Sequence, residues 1–313
     1  MAADAQSIIL HQYDLSPFSE KARVILGMKG LEWHACTQPV IMPKPELVAL
    51  TGGFRRIPVM QIGADIYCDT QMIARELERR YPIPSILVGA DRGLGFGLGL
   101  WTDRALFQAT VTLVFGAGER VVDDAFIRDR EALSGRSWDL PGKRHAAPVV
   151  AEQLRAQFGW VEEQLSDGRR YLLGDEPGLM DASVYYNIAW IRRVFPAGLA
   201  ILDRQMLLVA WEERVRAIGH GRPQIISREA ALDIARDAIS TEVAATDQQE
   251  PNGIKSGDRV SVIADDYRGE PVSGVVVSSS AQHIAIRRSD PRVGEVVVHF
   301  PRTGVFVMPA ADR

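Results

Sequence analysis

The stretch "RRIPVMQIGADIYCDTQMIARELERRYP", residues 55–82, admits few folds. A proline directly ahead of a strand cannot donate to a ladder, so Pro58 belongs at an edge or in a turn. X-Pro bonds also adopt cis at modest cost, usually where the fold needs it. After it, two short apolar runs flank Gly63-Ala64-Asp65 and read as a hairpin over residues 58–62 and 66–68. Asp69 and Thr70 stand where strand turns into helix. Both are capping residues, and the free amides of a helix start attract an anion. Ile73, Leu77 and Tyr81 share one helical face over 70–81, and Pro82 and Pro84 close that helix.

Upstream, residues 7–12 read as a buried strand. Ser16-Pro17 then opens a helix over 16–29, with Phe18, Ala22, Ile25 and Leu26 on one face and Gly30 as its stop. A second strand falls within 33–40, and "PKPELVALTGG" suggests a loop with a short helical turn. The order is β-α-β-(α)-β-β-α in a unit of about 80 residues, a normal small-domain size. A glycine-rich connector follows over 85–97. Helical patterns then cover 100–114, 123–133, 146–164, 181–194, 200–218 and 228–239, with no strand among them. A polar stretch over 241–258 reads as a linker. Five Val- and Ile-rich runs come last, the pattern of a small SH3-like barrel or sandwich. The expected units are residues 6–84, 98–240 and 256–310.

The net charge of −4 gives no reason to expect nucleic acid. No apolar run reaches the roughly 18 residues of a membrane span. The start, "MAADAQS", has neither the basic region nor the apolar run of a secretory leader. Two cysteines, Cys36 and Cys68, make no disulfide framework, and a reducing cytoplasm is expected. They are too far apart for a CxxC pair, and no His/Cys cluster has metal-ligand spacing, so no metal is expected. Both read as buried, inert thiols.

Ser16 alone reads as a plain N-cap, with proline favoured just inside the helix. Taken together, "SPF" at the first helix, "IPV" at the proline and "DT" before the last helix resemble the cytosolic glutathione transferases. The resemblance covers residue 7 to about 84. It implies a thioredoxin-like α/β domain, then an all-α domain, with the small all-β barrel as an addition, since most members end after the helices. It also implies glutathione as co-substrate, a homodimer, and attack of the peptide's thiolate on a small hydrophobic electrophile, in conjugation or in the related peroxidase, isomerase or dehalogenase chemistry.

By that resemblance Ser16 stands at the activating position, as a hydroxyl that donates to the sulfur. Ile57, ahead of Pro58, pairs with the cysteinyl backbone. Asp69 and Thr70 hold the γ-glutamyl end; serine is usual where Thr70 stands, and threonine keeps the hydroxyl. Lys44, Arg55 and Arg56 compete for the glycyl carboxylate, each with a solvated-surface alternative. Tyr13 is either a second hydroxyl donor, a pocket wall or a packed aromatic, and Ser19 is a weaker hydroxyl candidate. Between the domains, Trp101, Arg104, Phe107, Gln108 and Val111 are candidates for the electrophile pocket or for core. Asp181 in "GLMDAS" resembles the family's capping box, with Gly178 in place of the hydroxyl. A reading from another class also stands: a binding or assembly module without activity, the tail making a partner or dimer contact.

Overall fold

The computed structural model describes residues 3–89, 92–118, 122–267 and 269–310. The first unit follows the expected order: β1 (Ile9–Gln12), α1 (Pro17–Met28), β2 (Glu32–Thr37), α2 (Pro45–Thr51), β3 (Val59–Ile62), β4 (Asp65–Cys68) and α3 (Thr70–Arg80). β1 pairs parallel with β2 and antiparallel with β3, and β3 and β4 form the hairpin. Side chains alternate across a strand. Accordingly Leu10, Met60, Ile62 and Tyr67 join the core under α1 and α3, while Val59, Ile66 and Cys68 face a second core on the opposite side.

The helical half begins with one rod: α4 (Leu94–Leu100), a π-helical turn (Trp101–Leu106) and α5 (Phe107–Ala117). Then come α6 (Asp124–Ser134), α7 (Leu140–Gln164), α8 (Leu179–Val194), a 3-10 turn (Pro196–Leu202) and α9 (Met206–Ile218). The helix expected over 200–218 is thus two elements. At the start of α8, Asp181 accepts from the Gly178 and Leu172 amides, each at 2.9 Å, and from Trp211 Nε1 at 2.7 Å. Burial pushes its carboxyl up to about 6. Gly178 has no side chain to answer with, so the box is built from the acid side alone.

No strand was expected between 98 and 240, yet β5 (Arg222–Ile226) pairs parallel with β2, Glu32 opposite Arg222. Its five residues include an arginine, a proline and a glutamine, so local pattern does not mark it; pairing with a distant strand makes it. α10 (Arg228–Asp237) then covers the sheet, where Ala231 meets Ile9 and Cys36.

The tail forms β6 (Arg259–Ala264), β7 (Val272–Ser279), β8 (His283–Asp290), β9 (Gly294–Pro301) and β10 (Val305–Pro309). Neighbours from β6 to β9 are antiparallel, and β10 returns beside β6. These strands also continue the first unit: β9 lies parallel to β4, giving one ten-stranded sheet ordered β10-β6-β7-β8-β9-β4-β3-β1-β2-β5. Val260, Ile286 and Phe300 share a core with Leu47, Val59 and Ile66. The stretch read as a linker is tied down at its head, where Thr241 and the preceding Ser240 hydrogen-bond Asp65.

Candidate active site

Ser16 is the N-cap of α1 and is buried at 2% exposure. Its Oγ accepts from the Ser19 amide at 3.1 Å. A hydroxyl accepts and donates at once, so the cap leaves the Ser16 proton available. Pro17 brings no N–H to the first turn, and the Phe18 N–H has no acceptor among the described residues. Two donors therefore remain at the positive end of a 12-residue helix. The approach to Ser16 is braced: the Asp14 carbonyl accepts from Arg23 at 3.0 Å and from Arg193 at 2.8 Å. Ser19 Oγ is buried and unpaired among the described residues.

The Ile57–Pro58 bond is cis. Neither the N–H nor the carbonyl of Ile57 has a backbone partner among the described residues, leaving one length of edge open ahead of β3. At the start of α3, Asp69 has φ of 77°, in the left-handed region that favours glycine. Such a backbone costs on the order of 1–3 kcal/mol and clusters at functional positions. Asp69 Oδ1 caps the Gln71 amide at 2.9 Å, and burial raises its carboxyl despite the pull of Arg56 and Lys21. Its other oxygen, the Thr70 hydroxyl and the Thr70 N–H have no partner among the described residues.

The three cations differ. Arg55 pairs with Asp129 of α6, and Arg56 pairs with Asp266 past β6. Lys44, at the N-cap of α2, is buried at 4% exposure and has no carboxylate within ion-pair distance among the described residues. Its Nζ reaches only the Arg55 carbonyl, at 3.4 Å. Burial, with Arg130 and Arg55 nearby, lowers its ammonium to about 8.

Among the pocket candidates, Phe107 packs 4.7 Å edge-on against Phe18, whose ring also lies 5.1 Å from Tyr186. Phe107 therefore stands beside the start of α1. Trp101 turns away, donating to Gln157 of α7 at 2.8 Å and facing Trp160. Val111 is buried in the core, Gln108 is exposed, and Arg104 pairs with Asp265. Tyr13 is half-buried next to the Ser16 turn, its carbonyl accepting from the Ser16 amide. Cys36 and Cys68 are buried, and burial raises both thiols, Cys36 to about 12. Sequence reasoning missed Lys21–Asp103, at 2.8 Å across the domains, and the Asp129 and Asp266 partners. No local pattern marks such long-range pairs.

A thioredoxin-like α/β unit followed by a helical unit is the arrangement that the tail is added to. Profiles described as the glutathione S-transferase N-terminal and C-terminal domains match residues 10–85 and 125–230. A GST-like protein from Pseudomonas syringae is 35% identical, with TM-score 0.81, over 97% of this chain and 100% of that one. A probable glutathione S-transferase BZ2 of Zea mays is 25% identical over 214 residues, 65% of this chain and 84% of that protein. A glutathione S-transferase of Ceriporiopsis subvermispora, solved in complex with glutathione, shares the fold at 18% identity and TM-score 0.55, over 68% of this chain and 97% of that one. The chain belongs to the glutathione S-transferase family.

Proposed function

We propose that this protein is a serine-type glutathione-dependent transferase. The observation that carries the reading is a row of polar groups without a partner among the described residues, the Ser16 proton, the Phe18 N–H, the Ile57 backbone and the Thr70 N–H and hydroxyl, together with the Lys44 ammonium, which reaches only the Arg55 carbonyl there. Each matches one part of the tripeptide. Lys44 takes the glycyl carboxylate, in preference to Arg55 and Arg56, which already hold carboxylates. Ile57 pairs with the cysteinyl backbone as an added strand would. The Thr70 N–H and hydroxyl take the γ-glutamyl carboxylate, and Asp69 takes its ammonium.

Free glutathione ionises near the ~8.5 of an ordinary thiol. The Ser16 hydroxyl and the start of α1 favour the thiolate over the thiol, which lowers that value. Ser16 stays protonated throughout and the sulfur is the nucleophile. Phe18, Phe107 and Tyr13 form the apolar side facing the electrophile. Calorimetry with glutathione and conjugation to a dinitrophenyl halide test the reading. A protein that neither binds the peptide nor conjugates it would refute it.

A further inference from the structure

The parallel pairing of β9 with β4 brings the turns after β9 and β6 to the sheet end where α3 begins. Both reach the cleft. Past β6, Asp265 receives Arg104 Nη2 on its two oxygens at 2.7 and 2.8 Å. Asp266 pairs with Arg56, and the Tyr267 ring covers the same guanidinium at 4.4 Å while packing edge-on against Phe54. Past β9, the Thr303 carbonyl accepts from Gln71 Nε2 at 3.4 Å, and the Gly304 carbonyl accepts from the Asp265 amide at 3.0 Å.

Arg56 belongs to the first unit, one residue before Ile57. Arg104 belongs to the π-helical turn, next to Asp103, which pairs with Lys21 of α1. One turn of the tail therefore grips both units, and the turn bonded to it reaches Gln71, whose amide Asp69 caps. Asp69 feels both arginines: Arg56 favours its carboxylate, and Asp69 in turn favours the charged form of Arg104.

We propose that residues 265–267 are the third wall of the peptide cleft, with Asp265 and Asp266 as positioning residues that hold Arg104 and Arg56 off Asp69. Asp69 is then open to the ammonium of the γ-glutamyl group. Without the two carboxylates, both guanidiniums would turn to Asp69 and compete with that ammonium. The tail is on this account a part of the substrate site. The proposal rests on the glutathione reading above and deepens it.

The test compares full-length wild type, Asp265→Asn/Asp266→Asn and, as a control on an ion pair of the same strands away from the cleft, Glu295→Gln. Losing two half-exposed pairs should raise Kd and KM for glutathione about three- to tenfold. Turnover should stay within about twofold, because the lost contact is the same in ground and transition states. Glutathione lacking its α-amino group should bind wild type and double variant alike, an outcome that general loosening of the fold would not produce. Equal or tighter glutathione binding by the double variant overturns the wall, as does an equal loss for the deaminated peptide. Wild type that binds no glutathione overturns the glutathione reading, and this proposal with it. Asp265→Asn alone should show the smaller part of the same effect.

Discussion

His299 Nε2 lies 3.0 Å from Asp65 Oδ1, and this contact joins β9 to β4 across 234 residues of sequence. Asp65 is buried and also accepts from Ser240 Oγ at 2.5 Å and from the Thr241 amide and hydroxyl, each at 2.9 Å. Burial raises its carboxyl, yet these donors bring it below the usual value. An asparagine cannot accept all four bonds. Asp65→Asn should therefore cost about 2–3 kcal/mol, the range for hydrogen bonds to a buried charge. Urea unfolding measures it, and an unchanged midpoint would show that this carboxylate does not tie the tail to the first unit.

Acid should weaken the fold from an unusually high pH. His283 lies 3.0 Å from His299 Nδ1, and His11 is fully buried beside Gln61 and Gln38. Burial lowers both imidazoles to about 4, assisted at His283 by His299. The unfolded chain takes up these protons near ~6.5, whereas the fold refuses them until about 4, so stability falls as pH drops through that window. Glu20 acts lower down. Burial raises it, but His220 and Arg23 bring it to about 2, so its contribution is lost between its ordinary value of 4.5 and 2. Thermal midpoints across mild acid test the order, and His283→Gln should flatten the upper part.

Ser16→Ala should separate the cap from the chemistry. Losing an N-cap costs about 1 kcal/mol. Removing a donor aimed at developing charge should lower kcat by roughly a hundredfold or more while leaving KM for glutathione nearly unchanged. Ultraviolet titration of the bound thiolate should show its pKa moving back toward the free value. If turnover survives, Tyr13 becomes the donor to examine, through Tyr13→Phe.

Lys44 predicts its own pH dependence. Its ammonium is held down to about 8, so glutathione affinity should fall as pH rises through that value and the cation is lost. S-methylglutathione isolates the effect because its sulfur does not ionise. Lys44→Met should weaken binding about tenfold, as expected for a charge-assisted contact. Lys44→Arg should bind with little pH dependence, since guanidinium keeps its proton. A wild-type affinity that stays flat above about pH 8 would remove Lys44 from the glycyl end.

Much of the first unit, and of the local backbone around its candidate site, was legible locally. The caps at Ser16 and Asp69, the proline at 58 and the helical spacing of Ile73, Leu77 and Tyr81 act within a few residues. Their structural consequences therefore appear in the letters, and the helix ends and cis bond lie where they point. The five tail strands were legible for the same reason, in their runs of valine and isoleucine. β5 was not, because "RPQII" is a strand only against β2. Nor were the partners of the three candidate cations. Lys44, Arg55 and Arg56 look alike in sequence, and Asp129 and Asp266, 74 and 210 residues away, tell them apart.

Sequence alone determined most of the elements and their order, β5 and the break before α9 excepted, since propensity, capping and periodicity are short-range. The tertiary structure decided that the tail extends the sheet instead of hanging from a linker, and that its first turn pairs with Arg56 of the first unit and Arg104 of the second. It also decided that, among the described residues, Lys44 is the one of the three cations without a carboxylate of its own. These outcomes depend on strand pairing and ion pairs between residues brought together only when the sheet closes, where burial and distance, not local composition, set the energies.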